Sequence, residues 1–312
     1  MNVEFFISRK NALSSFCTLS NNMPNPNSDI ALRKGQHVRD YVIGERLGEG
    51  SFGAVFEVKK NGKTYAMKVL KNEEYWDKEV EILEKVKGSK YVLELLDDFS
   101  TEDYIFIVTE RLGFSLEQHI AKHNTLSQHN TCVLLLHMTC ALQFLFSLDV
   151  CHRDVSTRNV MIDCERTKAV LVDFGAATIR PRELRKEKSD TTFTNIQCAA
   201  PHLNLGGKYD YWDDCISLAF IGLYCRQAGV YNNFISLNSA NMAEQKTEFL
   251  KDPTLRLKND ADQFLVPIIE TINRCNKSYE SHVAVITSIK QQCKGLSKET
   301  KFEVDEKNDK LF

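Results

Sequence analysis

The apolar period of this 312-residue chain changes once, near Ser115, and that change limits what the chain can fold into. Upstream, the runs "YVIGERLG", "AVFEVKK", "KTYAMKVL", "YVLELLDDF" and "YIFIVTE" are strand-like in length and in β-branched and aromatic content. One segment among them, "YWDKEVEILEKVKG", instead repeats Val80, Leu83 and Val86 at helical spacing. Downstream, "SLEQHIAKHN", "HNTCVLLLHMTCALQFLFSL", "WDDCISLAFIGLYCRQAG" and "ADQFLVPIIETINRCN" read as helices. Strands gathered first and helices second predict an α+β chain of two lobes, a small β-rich one and then a mainly helical one.

The polar stretch "NNMPNPNSD" predicts an N-terminal extension over residues 1–37, and the charged ending "SKETKFEVDEKNDKLF" predicts a fraying tail over 296–312. Between them lies one domain, 38–295, divided into an N-lobe at 38–111 and a C-lobe at 112–295. A hydrophobic content of 43% supports a sizeable core, and a net charge of −2 gives no global reason to expect nucleic acid as a partner. The longest apolar run is broken by His137, Thr139 and Gln143, so a buried helix is expected in place of a membrane span. Ten cysteines without a C-x-x-C pair, behind an N-terminus that lacks a long apolar core, predict reduced thiols in the cytoplasm or nucleus.

In "LGEGSFGAVFEV", Gly48, Gly50 and Gly53 form G-x-G-x-x-G, a spacing shared by dinucleotide sites, phosphate loops and plain turns. The strand-like "AVFEV" that follows has no helix-start signal, and Asn61-Gly62 then marks a second hairpin turn. A hairpin is therefore favoured over the strand-turn-helix of a dinucleotide fingerprint. Its glycines let backbone amides approach phosphate oxygens, and Lys68 on the next strand can pair with them. Further on, "CHRDVSTRNVMIDCERTKAVLVDFGAAT" holds His152-Arg153-Asp154, Asn159 and Asp173-Phe174-Gly175.

In this order and at these separations the motifs resemble the eukaryotic protein kinase family over roughly residues 38 to 295. The resemblance implies a bilobal protein-kinase fold, ATP and Mg²⁺ as cofactors, and protein substrates. It implies that Leu47, Gly48, Glu49, Gly50, Ser51, Phe52, Gly53, Ala54 and Val55 cover the nucleotide, with Val55 and Ala66 over the adenine ring. Thr109 falls deep in the pocket, and Glu110 and Leu112 offer backbone groups to the adenine edge. Asp154 becomes the group that orients or accepts the hydroxyl proton, and Asn159 and Asp173 the metal ligands. Glu79 is the expected partner of Lys68, with Glu81 as the alternative. Leu83, Leu95, His152 and Phe174 fall where the family stacks four side chains between its lobes.

Within the family, "RLGFSLEQ" and "DDCISLAFIGLY", with Asp213-Asp214 and Ser217-Leu218, resemble the casein kinase 1 group. A-P-E is replaced by Ala200-Pro201-His202, so the glutamate that ordinarily pairs with an arginine of the helical lobe is missing, and replacing His202 is expected to cost little. Ser156 stands where serine/threonine kinases carry lysine, and Arg158 where many tyrosine kinases carry arginine. The segment "TNIQCAAPH" lacks the proline and tryptophan of a tyrosine platform, which favours serine or threonine as acceptor. The basic "IRPRELRKEKSDTTFT" suggests acidic or already phosphorylated substrates, and its Ser189, Thr191, Thr192 and Thr194 are candidate modification sites. Because Lys68, Asp154, Asn159 and Asp173 all stand, an active enzyme is favoured over a binding module that only borrows the fold.

Overall fold

The computed structural model describes residues 30–50, 53–71, 73–180, 196–234, 236–275, 278–307 and 310–312. Ser51 and Phe52, and the candidate modification sites Ser189, Thr191, Thr192 and Thr194, lie outside the described residues.

The N-lobe is an antiparallel sheet of six strands, β1 (His37–Val38), β2 (Tyr41–Gly50), β3 (Gly53–Lys60), β4 (Lys63–Leu70), β5 (Leu95–Ser100) and β6 (Ile105–Glu110), ordered β1-β2-β3-β4-β6-β5. The turn between β3 and β4 is Asn61-Gly62, both residues at positive φ (52° and 74°), the conformation that makes Asn-Gly a hairpin former. Ala54, Phe56, Val58, Met67, Val69, Phe106 and Val108 fill one side of this sheet. Helix α1 (Glu73–Lys85) covers the other, burying Ile82, Leu83 and Val86.

Two boundaries differ from the sequence reading. The lobe begins before residue 38: Ile30 is buried against the sheet with Val38, and Gly35 N–H donates to Ile43 O at 2.8 Å. The run "YVLELLDDF" is also not one strand, because β5 starts only at Leu95. Its first residues turn instead to the C-lobe, where Leu171 N–H donates to Tyr91 O at 2.9 Å and Leu93 N–H to Leu171 O at 3.0 Å. Those bonds tie the two lobes behind the cleft.

The C-lobe opens with β7 (Phe114–Ser115) and α2 (Leu116–His123), which starts on a Ser115–Gln118 capping box. Helix α3 (Gln128–Ser147) is long and apolar enough to cross a membrane by composition, yet it is the buried central helix of the lobe. Short strands β8 (Val150–Cys151), β9 (Val160–Ile162), β10 (Ala169–Leu171) and β11 (Thr178–Ile179) carry the loops of the cleft floor. Helices α4 (Tyr211–Cys225), α5 (Gly229–Phe234), α6 (Ser239–Lys251), α7 (Pro253–Arg256), α8 (Leu265–Arg274) and α9 (Tyr279–Gln292) complete the lobe.

The charged ending does not fray. Strands β12 (Val304–Asp305) and β13 (Lys310–Leu311) pair, and Phe302 and Leu311 are buried against the C-lobe. The fully buried Asn130 of α3 binds this ending: its Nδ2 donates to Glu303 O (2.8 Å) and Phe312 O (3.0 Å), and its Oδ1 accepts from Glu303 N–H (2.8 Å). Asn130→Ala is expected to cost roughly 1–3 kcal/mol, because the three hydrogen bonds that this buried side chain makes to the ending are lost together. Chemical denaturation measures it, and a cost under about 0.5 kcal/mol would show the tail to be only loosely held.

Candidate active site

Cross-strand register decides which side chains face the cleft. Val55 pairs with Lys68, Lys68 with Ile107, and Ala66 with Thr109, so Val55, Ala66, Lys68 and Thr109 share one face of the sheet. Ala54 belongs to the other face and is fully buried in the sheet core. It can therefore face a nucleotide only through its backbone, since the two-residue period turns its side chain away. Glu49 is directed outward, 3.1 Å from Arg46, and the half-buried Leu47 lies two residues before it on β2. Gly53 is required by packing, because a Cβ there would stand 2.2 Å from Val69 O. Gly48 has no neighbour within 4 Å of that position, which leaves open space for a phosphate group to approach the backbone. Gly50 pairs with Gly53 at the end of the hairpin.

The helical period of α1 places Glu79 on the face of Ile82, Leu83 and Val86. Lys68 Nζ donates to Glu79 Oε1 (2.8 Å) and Oε2 (2.7 Å) and, across the cleft, to Asp173 Oδ1 (3.1 Å). Glu79 is buried and Glu81 exposed, which settles the choice between them for Glu79. Burial pulls the Lys68 pKa down, but Asp173 and Glu79 outweigh it and the pKa rises. Burial likewise pushes the Asp173 carboxyl up, and the Lys68 charge and hydrogen bond reverse this and hold it below its ordinary value. Asp173 is thus an anion, held in the left-handed region (φ 65°) at the start of the turn Phe174–Ala176.

The catalytic loop is fixed from beneath. Asp214, buried near the N-terminus of α4, accepts from His152 N–H (2.8 Å) and Arg153 N–H (3.0 Å) and from the Tyr209 hydroxyl. These bonds hold Arg153 at its positive φ of 70°. The His152 ring meets Val172 O through Nε2 (3.0 Å), and its Nδ1 lies 3.3 Å from Asp154 N–H. A neutral ring with its proton on Nε2 satisfies both contacts, in keeping with burial lowering its pKa. His152 meets Phe174 edge to face at 4.8 Å, and Leu83, Leu95 and Phe174 are buried in one cluster.

Asn159 Nδ2 donates to Asp154 Oδ2 (2.7 Å) and Asp154 O (2.9 Å). The amide nitrogen is thereby committed to Asp154, and the amide oxygen is the atom suited to a cation. An ionised Asp173 carboxylate and an amide oxygen are hard donors that fit Mg²⁺, which takes one or two protein ligands and completes its shell with phosphate and water. At the rear of the cleft Thr109 and Leu112 are buried, and the Glu110 side chain turns away to Lys168 (3.3 Å). Glu110 can therefore serve the cleft only through its backbone.

Three functional features were not foreseen from the sequence. In the sequence Asp214 stands out only within the casein-kinase-1-like Asp213-Asp214 pattern, although an acid in the first turn of an apolar helix is a signal for such an anchor. Ser156 is fully buried, so it does not present a side chain to the cleft as a lysine would, whereas Arg158 is exposed. His202 does have partners, with Nε2 3.1 Å from Lys208 O and 3.3 Å from Asp213 Oδ2.

A protein kinase domain model matches residues 41–292. The chain belongs to the protein kinase family. It is 33% identical over 156 residues to the probable serine/threonine-protein kinase zyg-1 of Caenorhabditis elegans, covering 47% of this chain and 22% of that protein. It is 25% identical over 241 residues to the serine/threonine-protein kinase prpf4B of Dictyostelium discoideum, covering 70% of this chain and 29% of that one. With the serine/threonine-protein kinase fused of Drosophila melanogaster it shares 27% identity over 192 residues, 58% of this chain and 23% of the relative. The chain thus spans well under two thirds of the length of each of these three.

Two substitutions separate the roles assigned above. Asp214→Ala removes the acceptor that two buried N–H groups and a hydroxyl share and is expected to cost roughly 2–4 kcal/mol in a denaturation experiment. Glu81→Gln is expected to change stability by less than about 0.5 kcal/mol, as a solvent-facing residue should. The reverse ranking would contradict the assignment.

Proposed function

We propose that the chain is an ATP-dependent protein kinase that transfers the γ-phosphoryl group to serine or threonine hydroxyls of proteins. The observation that carries the reading is the single cluster formed by Lys68, Glu79 and Asp173, with Asn159 holding Asp154 on the adjoining loop. Lys68, kept charged by two carboxylates, is placed to pair with the nucleotide phosphates. Mg²⁺, held by Asp173 and the Asn159 oxygen, would neutralise charge between the phosphates. Asp154 is oriented by Asn159 to receive the acceptor hydroxyl's proton as its oxygen bonds to the γ-phosphorus and the bond to ADP breaks.

The finer reading is a casein-kinase-1-like enzyme, supported by the "GFSLEQ" exit from the cleft and by Asp213-Asp214 followed by Ser217-Leu218. Acidic or already phosphorylated substrates are proposed from the basic residues Arg182, Arg185, Lys186 and Lys188. Arg180 of the same stretch is engaged elsewhere, on Tyr209 O. A reducing compartment, cytoplasm or nucleus, is proposed on the ten scattered cysteines.

Incubation with labelled ATP, Mg²⁺ and casein tests the reading. Transfer is expected, with phosphoserine and phosphothreonine as products, and Asp173→Asn should lower it at least about a hundredfold while the protein stays folded. Predominant phosphotyrosine would overturn the acceptor class, and full activity of Asp173→Asn would overturn the metal-ligand assignment.

A further inference from the structure

Helix α6 carries one cation into the interior. Lys246 is fully buried, and its Nζ donates to Ile196 O (2.7 Å), Ala199 O (2.8 Å) and Asn204 Oδ1 (3.2 Å) while lying 4.6 Å from the centre of the Phe220 ring. Asn204 Nδ2 in turn donates to Ile196 O at 2.9 Å, so the two side chains close one network. An ammonium has three N–H donors, and here three oxygens meet them. Burial draws the Lys246 pKa down to about 7, and the charged form alone carries a proton for each of the three oxygens.

Every acceptor in this network comes from residues 196–204, the stretch that contains Ala200-Pro201-His202. This stretch lies against the catalytic loop: Ala199 and Leu203 line a cavity of about 10 Å³ together with Arg153, Asp154 and Val155. The family's usual anchor for the stretch, a glutamate within it, is absent from the sequence. A cation of the helical lobe still anchors the stretch, but it meets no carboxylate there. The stretch supplies neutral oxygens, and the helical lobe supplies the charge.

We propose that Lys246 is a positioning residue that fixes residues 196–204 beside Asp154 and so sets the affinity for the protein acceptor, in place of the missing A-P-E glutamate. The inference rests on the reading of the chain as a protein kinase, but the anchor itself can be tested without catalysis. A methionine keeps the length and the packing on Phe220 while removing the Lys246 donor from Ala199 O and Asn204 Oδ1 and leaving Ile196 O to Asn204 alone.

The test compares the full chain with its Lys246→Met variant, by amide hydrogen exchange and by steady-state kinetics with casein. Exchange within 196–204 is expected to rise about tenfold or more, with β4 and α1 unchanged. The KM for casein should rise about fivefold or more, while the KM for ATP stays within about twofold. Unchanged protection of 196–204 would overturn the anchor, and parallel losses toward ATP and casein would overturn the assignment to acceptor positioning. If the wild-type chain transfers no phosphate while Lys246→Met still loosens 196–204, the anchor stands and the acceptor role falls with the kinase reading. Should Lys246→Met not fold, Asn204→Ala removes one oxygen of the network and is expected to give the same changes in smaller degree, with the same results overturning the proposal.

Discussion

One ammonium joins the lobes at the point where chemistry is proposed. Lys68 comes from the sheet, Glu79 from the helix that covers it, and Asp173 from the C-lobe, and all three meet within hydrogen-bonding distance. An ion pair this deeply buried is costly to break, about 3 to 5 kcal/mol for removal of one partner, because the other charge is left stranded. The arrangement therefore fixes the rotation of α1 and, through Asp173, the turn that buries Phe174 against His152.

The same logic recurs in the C-lobe with other partners. Asp214 is a buried carboxyl group answered by two backbone N–H groups and a phenol, and Lys246 is a buried amine answered by two carbonyls and an amide. Each pins a segment that lies outside the sheets and α-helices, the catalytic loop in one case and residues 196–204, which lead into the 3-10 turn Pro201–Leu205, in the other. Loops that must keep a fixed shape beside a reacting group are thus pinned from the rigid helices beneath them. Helices α4 and α6 thus hold the two segments that flank Asp154.

The parts legible in the sequence are those where chemistry dictates residue type. Lys68, Asp154, Asn159 and Asp173 stand in motifs that the family resemblance reads directly, and Glu79 was expected from the family's register, with Glu81 left as the alternative until burial separated them. Lys246 was not legible, because its partners are mostly carbonyl oxygens, and a backbone carbonyl leaves no mark on the sequence. Ile30, Phe302 and Leu311 were missed for a related reason: a lone apolar residue in a charged or polar stretch has no period to announce its burial. The alternation that puts Val55 in the cleft also puts the Ala54 side chain in the core, which the sequence pattern alone already implied.

The central claim is that Lys68 and Glu79 act as one unit in binding and positioning the nucleotide. A double-mutant cycle on phosphoryl transfer to casein, with Lys68→Met, Glu79→Gln and the combined variant, measures this most directly. If the pair is one unit, the second substitution adds little to the first, and the coupling reaches the upper part of the roughly 0.5–3 kcal/mol range found for residues in contact. Losses that simply add, with a coupling near zero, would contradict the account.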